Sequence, residues 1–265
     1  MANFKYNEKN IYYEVHNESN EKIPLLLLNG VMMSTASWQM FLPELAKKSK
    51  IILVDFIDQG QSDKHTEKYS IDLQVEVIKS LLDELKLEKV NIVSISYGGS
   101  VAMKFATKYQ SFVNKLILFN TTAKTGEWLG AIGDSWILSS NDPLNFYNTT
   151  IPIIYSQNFY NTNKEWIEER KDFLLKYAFS NKDFLERVTR LIKSLKSHDA
   201  ISELSKITAK TLVIGSEDDY LTPVSCQRQI HLGIKNSDLV IIPNCGHASM
   251  YEKPELFTSL IGGYL

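Results

Sequence analysis

Apolar and polar positions alternate at Phe4 to Tyr6 and again at Ile11 to His16, on either side of an Asn7-Glu8-Lys9-Asn10 turn, which predicts an antiparallel hairpin at a sheet edge. The pattern then changes to short, continuously apolar runs at Leu25 to Leu28, Ile51 to Val54, Val90 to Ile95, Leu116 to Phe119, Leu212 to Ile214 and Leu239 to Ile242. Runs of this length, rich in β-branched residues, suit strands covered on both faces, as in a parallel sheet. Between them, Trp38 to Lys48, Ile71 to Leu85, Gly99 to Tyr109, Pro223 to Leu232 and Pro254 to Leu265 carry apolar residues at roughly helical spacing. Strands alternating with helices predict the α/β class, with a mostly parallel, doubly wound sheet.

The alternation stops after Phe119 and resumes at Leu212. The gap is dense in aromatic residues (Trp128, Trp136, Phe146, Tyr147, Tyr155, Phe159, Tyr160, Trp166), and its later part, Lys164 to Ser197, reads as helices with charged faces. We therefore expect one core domain, residues 1–121 and 199–265, interrupted by a helical cap, residues 122–198. The aromatics either wall an apolar ligand or pack the cap's own interior, and spacing does not choose between the two.

Composition narrows the function classes. With 265 residues, 44% of them hydrophobic and 23% charged, the chain can bury a sizeable core, and disorder is excluded. Basic and acidic residues nearly balance (29 against 31), and no basic run could track a phosphate backbone, so a nucleic-acid partner is not expected. The stretch from Met1 to Val15 lacks a basic segment followed by an apolar one, and Ile23 to Leu28 is too short to span a bilayer. A cytoplasmic protein with no integral membrane segment is the expectation. Cys226 and Cys245 are too few for a disulfide framework and lack zinc spacing, and no phosphate loop or flavin motif is present. No metal and no cofactor are expected.

Ser94-Ile95-Ser96-Tyr97-Gly98-Gly99 joins an apolar strand to a helix. A serine on such a turn projects its hydroxyl above the sheet, and crowding requires small residues two before and two after it, here Ser94 and Gly98. A serine before a helix is also an ordinary N-cap, so its partners must decide. Asn29-Gly30-Val31 follows the strand Leu25 to Leu28, where the Val31 and Tyr97 N–H groups would flank an oxyanion. Asn244-Cys245-Gly246-His247 follows the last apolar run and puts His247 on a loop at a strand's carboxyl end, the place for a general base. His16, His65, His198 and His231 lack that position and read as structural. Cys245, on the same loop as His247 and away from any helix N-terminus, is a poor nucleophile. Glu217-Asp218-Asp219 follows the strand Leu212 to Ile214 and precedes Thr222-Pro223. Spacing to Pro223 favours Asp219 as the acid that orients His247, whereas distance from Gly215 favours Asp218.

With elbow, acid and histidine in this order, the chain resembles the α/β-hydrolase superfamily over essentially its whole length. The resemblance implies Ser96 as nucleophile, Asp219 or alternatively Asp218 as acid, His247 as base, and Val31 and Tyr97 as oxyanion donors. Val54 to Ser62 is similar to the family's D-x-x-G-x-G-x-S structural turn, with Asp58 in place of the first glycine. Asn29 stands where most members have His and Ser94 where most have Gly. With the run Gly30 to Trp38 and Gly60-Gln61-Ser62, these departures look like the hydroxyacyl acyltransferases of rhamnolipid synthesis, mainly in the first half of the chain. The expected function is a serine hydrolase, monomer or homodimer, that cleaves a small-molecule ester or thioester of a lipophilic acyl group through an acyl-enzyme on Ser96. Alternatives are an acyltransferase moving a hydroxyacyl group to a hydroxyl acceptor, a haloperoxidase, C–C bond hydrolase or lyase, and a non-catalytic or single-turnover ligand-binding protein. Dehalogenation and epoxide opening are disfavoured because they need a carboxylate nucleophile.

Overall fold

The computed structural model describes residues 2–265. Eight strands form one sheet: β1 (Ala2–Tyr6), β2 (Lys9–His16), β3 (Leu25–Leu28), β4 (Ile51–Val54), β5 (Val90–Ile95), β6 (Val113–Phe119), β7 (Lys210–Ser216) and β8 (Ser237–Ile242). Their order is β1-β2-β4-β3-β5-β6-β7-β8; β1 and β2 pair antiparallel, β2 lies antiparallel to β4, and every later pairing is parallel. The hairpin turn is tighter than expected. Asn7 and Glu8 both adopt left-handed φ (45° and 67°), the two-residue turn whose twist matches the strands it joins, so Lys9 and Asn10 enter β2.

Alternate residues of the parallel strands point to opposite faces, and helices cover both. Leu26, Leu28, Ile52, Val54 and Ile92 pack with α2 (Asp72–Glu84), α3 (Tyr97–Lys108) and α9 (Val224–Gly233). Leu25, Leu27, Ile51, Leu53 and Val93 pack with α1 (Leu42–Leu45) and α11 (Pro254–Tyr264), which follows the short α10 (Ser249–Glu252). The helix expected from Trp38 to Lys48 is not continuous: a single 3-10 turn, Thr35–Trp38, precedes the four-residue α1. Pro43 lies in the first turn of α1, where its missing N–H is tolerated; inside a longer helix it would break a backbone hydrogen bond.

Between β6 and β7 lie α4 (Glu127–Ser139), α5 (Pro143–Ile154), α6 (Gln157–Thr162), α7 (Lys164–Leu174), which runs into a π-helical turn (Leu175–Phe179), and α8 (Lys182–Ser194). Trp136, Phe146, Tyr147, Tyr155 and Ile167 are buried in this insertion's own apolar cluster, with Phe159, Tyr160 and Trp166 packed against it. Most of the aromatics thus hold the insertion together. Trp128 is exposed. Among the described residues, no helix is long and apolar enough to cross a membrane.

Two contacts tie the insertion down. Asp58, at the position of the expected glycine, takes a left-handed φ of 69° and is buried. Its carboxylate accepts from Arg190 Nε (3.0 Å) and Nη2 (2.7 Å), Tyr69 Oη (2.8 Å) and the His65 N–H (3.1 Å), so the turn is anchored to α8. At the neck, Lys124 pairs with Asp199, and the Ala200 N–H donates to Ala123 O (2.8 Å). Buried His198 lies beside Thr122 O at 3.2 Å through Nε2, and its Nδ1 has no partner.

Burial lowers the His198 pKa from 6.5 to about 4. The folded state therefore holds a neutral imidazole where the unfolded chain takes up a proton, so stability is lost as pH falls from 6.5 towards about 4. The loss should reach roughly 3 kcal/mol. Urea unfolding of His198→Gln should show a flatter profile across that window, and an unchanged slope would remove His198 as its source.

Candidate active site

Strand β5 ends at Ile95 and α3 begins at Tyr97, leaving Ser96 to turn the chain alone with φ 52° and ψ −114°. A non-glycine residue held there costs about 1–3 kcal/mol, which surrounding bonds must offset. The Ser96 N–H donates to Phe119 O (3.0 Å), while Ser96 O accepts from the Gly99 N–H (2.9 Å) and Thr121 Oγ1 (2.7 Å). A Cβ on Gly98 would lie 2.6 Å from Leu28 O, which is why glycine is required there. Ser94 is accommodated because its hydroxyl donates to Ile117 O at 3.2 Å.

His247 comes to this serine from the loop after β8: Nε2 lies 3.0 Å from Ser96 Oγ and Nδ1 lies 2.8 Å from Asp219 Oδ2. Because an ionised carboxylate only accepts, the proton belongs on Nδ1, and Nε2 is free to accept from the serine hydroxyl. Asp219 is held through both oxygens. Oδ1 accepts from the Leu221 (2.8 Å) and Thr222 (2.9 Å) N–H groups; Oδ2 also accepts from Thr222 Oγ1 (2.8 Å) and Asn120 Nδ2 (2.9 Å). Burial would raise its pKa, but the neighbouring His247 charge and these hydrogen bonds outweigh burial and hold the carboxyl below its ordinary value. The Asp218 side chain makes no hydrogen bond to His247; its N–H donates to Cys245 O (2.9 Å). Burial pushes the Cys245 thiol up to about 12, which leaves no thiolate at neutral pH.

The loop opposite Ser96 is fixed by Asn29. Its Nδ2 donates to Val54 O (2.8 Å) and Gln59 Oε1 (3.0 Å), its Oδ1 accepts from Trp38 Nε1 (2.7 Å), and Gln59 Nε2 donates to Gly30 O (2.7 Å). Among the described residues, neither the Val31 nor the Tyr97 N–H donates to any acceptor, and both residues border the cavity over Ser96. The Tyr97 side chain points elsewhere, to Ser194 Oγ at 3.0 Å.

Four positioning groups escaped the sequence reading. Asn120 stands at the end of β6 with φ 45°; besides Asp219 it meets Ser216 and accepts from Ser249 Oγ (2.8 Å). Thr222 was visible only as a helix start. Buried Glu252 accepts from Ser156 N (2.7 Å), Ser156 Oγ (2.7 Å) and Gly246 N (3.1 Å), tying the residue before His247 to the insertion, and the Ala248 N–H donates to Ile154 O (3.0 Å). Arg170, on α7, borders the cavity with Nε buried and without an acceptor; its guanidinium lies 5.1 Å from the Tyr251 ring and 5.8 Å from the Phe173 ring, with no acidic side chain in ion-pair range.

The cavity measures about 640 Å³ and is walled mainly by apolar side chains of sheet loops and insertion, among them Met32, Met33, Ile154, Phe179, Ile192 and Leu221. Ser96 and His247 both border it.

Residues 23–142 match the model of the alpha/beta hydrolase fold family. The crystal structure of MGS-M2, an alpha/beta hydrolase enzyme from a Medee basin deep-sea metagenome library, is 44% identical and superposes with a TM-score of 0.96 over 99% of this chain and 96% of that one. The 2-hydroxymuconate semialdehyde hydrolase of Pseudomonas sp. (strain CF600) is 25% identical over 94% of this chain and 88% of its own. The enol-lactonase from Burkholderia xenovorans LB400 shares the fold, with a TM-score of 0.86 at 18% identity over 99% of each chain. With a relative this similar along nearly its full length, the chain belongs to the α/β-hydrolase family and is an enzyme of the hydrolase type.

Proposed function

We propose that the protein is a serine hydrolase that cleaves esters or thioesters of a lipophilic acyl group, with residues 122–198 acting as a cap over a core of residues 1–121 and 199–265. The observation that carries this reading is the Ser96–His247–Asp219 chain, with contacts of 3.0 and 2.8 Å, opening into an apolar cavity. His247 Nε2 takes the Ser96 proton as Oγ bonds to the acyl carbon, and the carbonyl electron pair moves to oxygen, facing the Val31 and Tyr97 N–H groups. The intermediate collapses with loss of the alcohol or thiol, to which His247 returns the proton. Water, deprotonated in turn by His247, then releases the acid and restores Ser96.

Asp219 keeps the imidazole in the required tautomer. The apolar wall favours an acyl chain, since each buried methylene contributes about 0.8 kcal/mol. Intact mass after treatment with a fluorophosphonate should show one adduct, mapped to Ser96, and acyl ester and thioester panels should give product acid. A folded protein that takes no adduct and turns over none of these substrates sinks the proposal. Transfer to a hydroxyacyl acceptor would instead appear as acyl ester product in the same assays.

Arg170 favours a second reading, hydrolysis of a C–C bond in an acidic substrate, in line with the relative named as a 2-hydroxymuconate semialdehyde hydrolase. An unpaired guanidinium in an apolar cavity suits a carboxylate, with which it would form charge-assisted hydrogen bonds worth about 1.5–3 kcal/mol. Arg170→Gln should therefore raise KM for substrates bearing a carboxylate roughly 10- to 100-fold, with little change for neutral esters. Equal effects on both substrate types would remove the anion role.

A further inference from the structure

The cavity-facing side of α4 is built unlike the rest of the wall. Leu129, Gly130, Gly133 and Trp136, at helical spacing, all border the cavity, and so does Thr125 just before the helix. Trp136 is 5% exposed, yet its Nε1 has no acceptor, and Thr125 Oγ1 is likewise buried without a partner. Buried indole N–H groups normally find a partner, and an unmet one costs about 1–3 kcal/mol. Two of the chain's few buried unpartnered side-chain atoms therefore belong to one wall of one cavity.

The two glycines add a second observation. A Cβ on Gly130 would meet nothing within 4 Å, and one on Gly133 would meet only Ile192 Cγ2 at 3.0 Å. Interior helical glycines cost about 1 kcal/mol each relative to alanine. No close backbone approach requires Gly130, so its effect is to widen the cavity beside the unpartnered donors.

Resting on the serine hydrolase reading above, we infer that α4 is a specificity wall for an oxygenated acyl group, one that carries a second carbonyl away from the scissile one. Trp136 Nε1 only donates, so the group it meets must accept. A ketone oxygen has two lone pairs and can accept from Trp136 Nε1 and Thr125 Oγ1 together, whereas a plain hydrocarbon chain leaves both unsatisfied. Rejection of an analogue that lacks the bonded oxygen is the strong form of enzyme specificity, because the buried donors are then left unpaired.

The test compares p-nitrophenyl esters of saturated acids with chain-matched esters in which an oxo group is walked along the chain. One oxo isomer should be preferred by the wild type, with a kcat/KM at least about tenfold above its saturated counterpart. Trp136→Phe keeps the apolar ring and removes the N–H; Thr125→Val does the same for the hydroxyl. Each should collapse that ratio towards one, while fluorophosphonate labelling of Ser96 keeps its wild-type rate. No preferred oxo isomer in the wild type, or an equal slowing of both esters by Trp136→Phe, overturns the assignment. Calorimetric titration of the free oxo and saturated acids into wild type and Trp136→Phe repeats the comparison without turnover. A failure of ester hydrolysis itself thus stays distinguishable from a failure of the α4 wall, and equal affinities there also overturn it.

Discussion

Ser96→Ala should lower kcat for acyl esters by roughly 10⁶-fold and abolish the fluorophosphonate adduct. The size of the effect follows from what is removed. Without Oγ there is no covalent intermediate, and His247 has no hydroxyl to deprotonate, although the Val31 and Tyr97 N–H groups and the cavity are untouched. A residual rate about 10³–10⁴ above water is therefore still expected. Alanine inherits the backbone strain at φ 52°, so thermal unfolding should barely move. Ser96→Gly would be equally inactive yet more stable by about 1 kcal/mol, since glycine takes a left-handed φ freely. Retention of more than about one hundredth of the activity by either variant would be incompatible with a serine nucleophile, given the size of the effect.

How far the site could be read in advance depended on whether its residues are fixed locally. Strands β3, β4 and β5 fall on their apolar runs because both faces of each are covered by helices, so every position must be apolar. Strand β6 starts at Val113, three residues before its apolar run, because Asn114 and Lys115 are only partly buried and broke the pattern. Ser96 and His247 were legible because strand, tight turn and small neighbours all lie within a few residues of each. Asp218 and Asp219 were not separable, since adjacent residues on a turn differ only in direction, and direction is set here by Thr222, Leu221 and a partner 99 positions away, Asn120. Glu252 and Ser156, 96 positions apart, are the same kind of case. Arg170 read as one of many charges on an exposed helix, and only the docking of α7 over the sheet places it beside the cavity. The aromatics of the insertion carried two readings because burial within a small helical unit and burial against a ligand select the same residues. The contacts assign most of them to the insertion's own core.

The adjacent pair of acids supplies the sharpest remaining comparison. Asp219→Asn should cost about 10⁴ in kcat, while Asp218→Asn should leave it near wild type. In the first variant the amide NH₂ would occupy the place of Oδ2 if the carbonyl keeps its two bonds from the Leu221 and Thr222 N–H groups. That NH₂ donates, so His247 would present an unprotonated Nδ1 to it and carry its proton on Nε2, towards Ser96. The imidazole then has no lone pair for the serine proton, although its position is nearly unchanged. The same NH₂ would also face Asn120 Nδ2 and Thr222 Oγ1, two groups that donate to Asp219 Oδ2. Two donors opposed in a buried site should lower stability by about 1–3 kcal/mol, visible as an earlier urea midpoint. Asp218 has no such network, only a backbone bond to Cys245 O, so its amide variant should match the wild type in both assays. Raising the pH should not rescue Asp219→Asn fully, because the fault lies in the tautomer rather than in protonation; complete recovery in alkali would instead mean that Asp219 acts only by raising the basicity of His247.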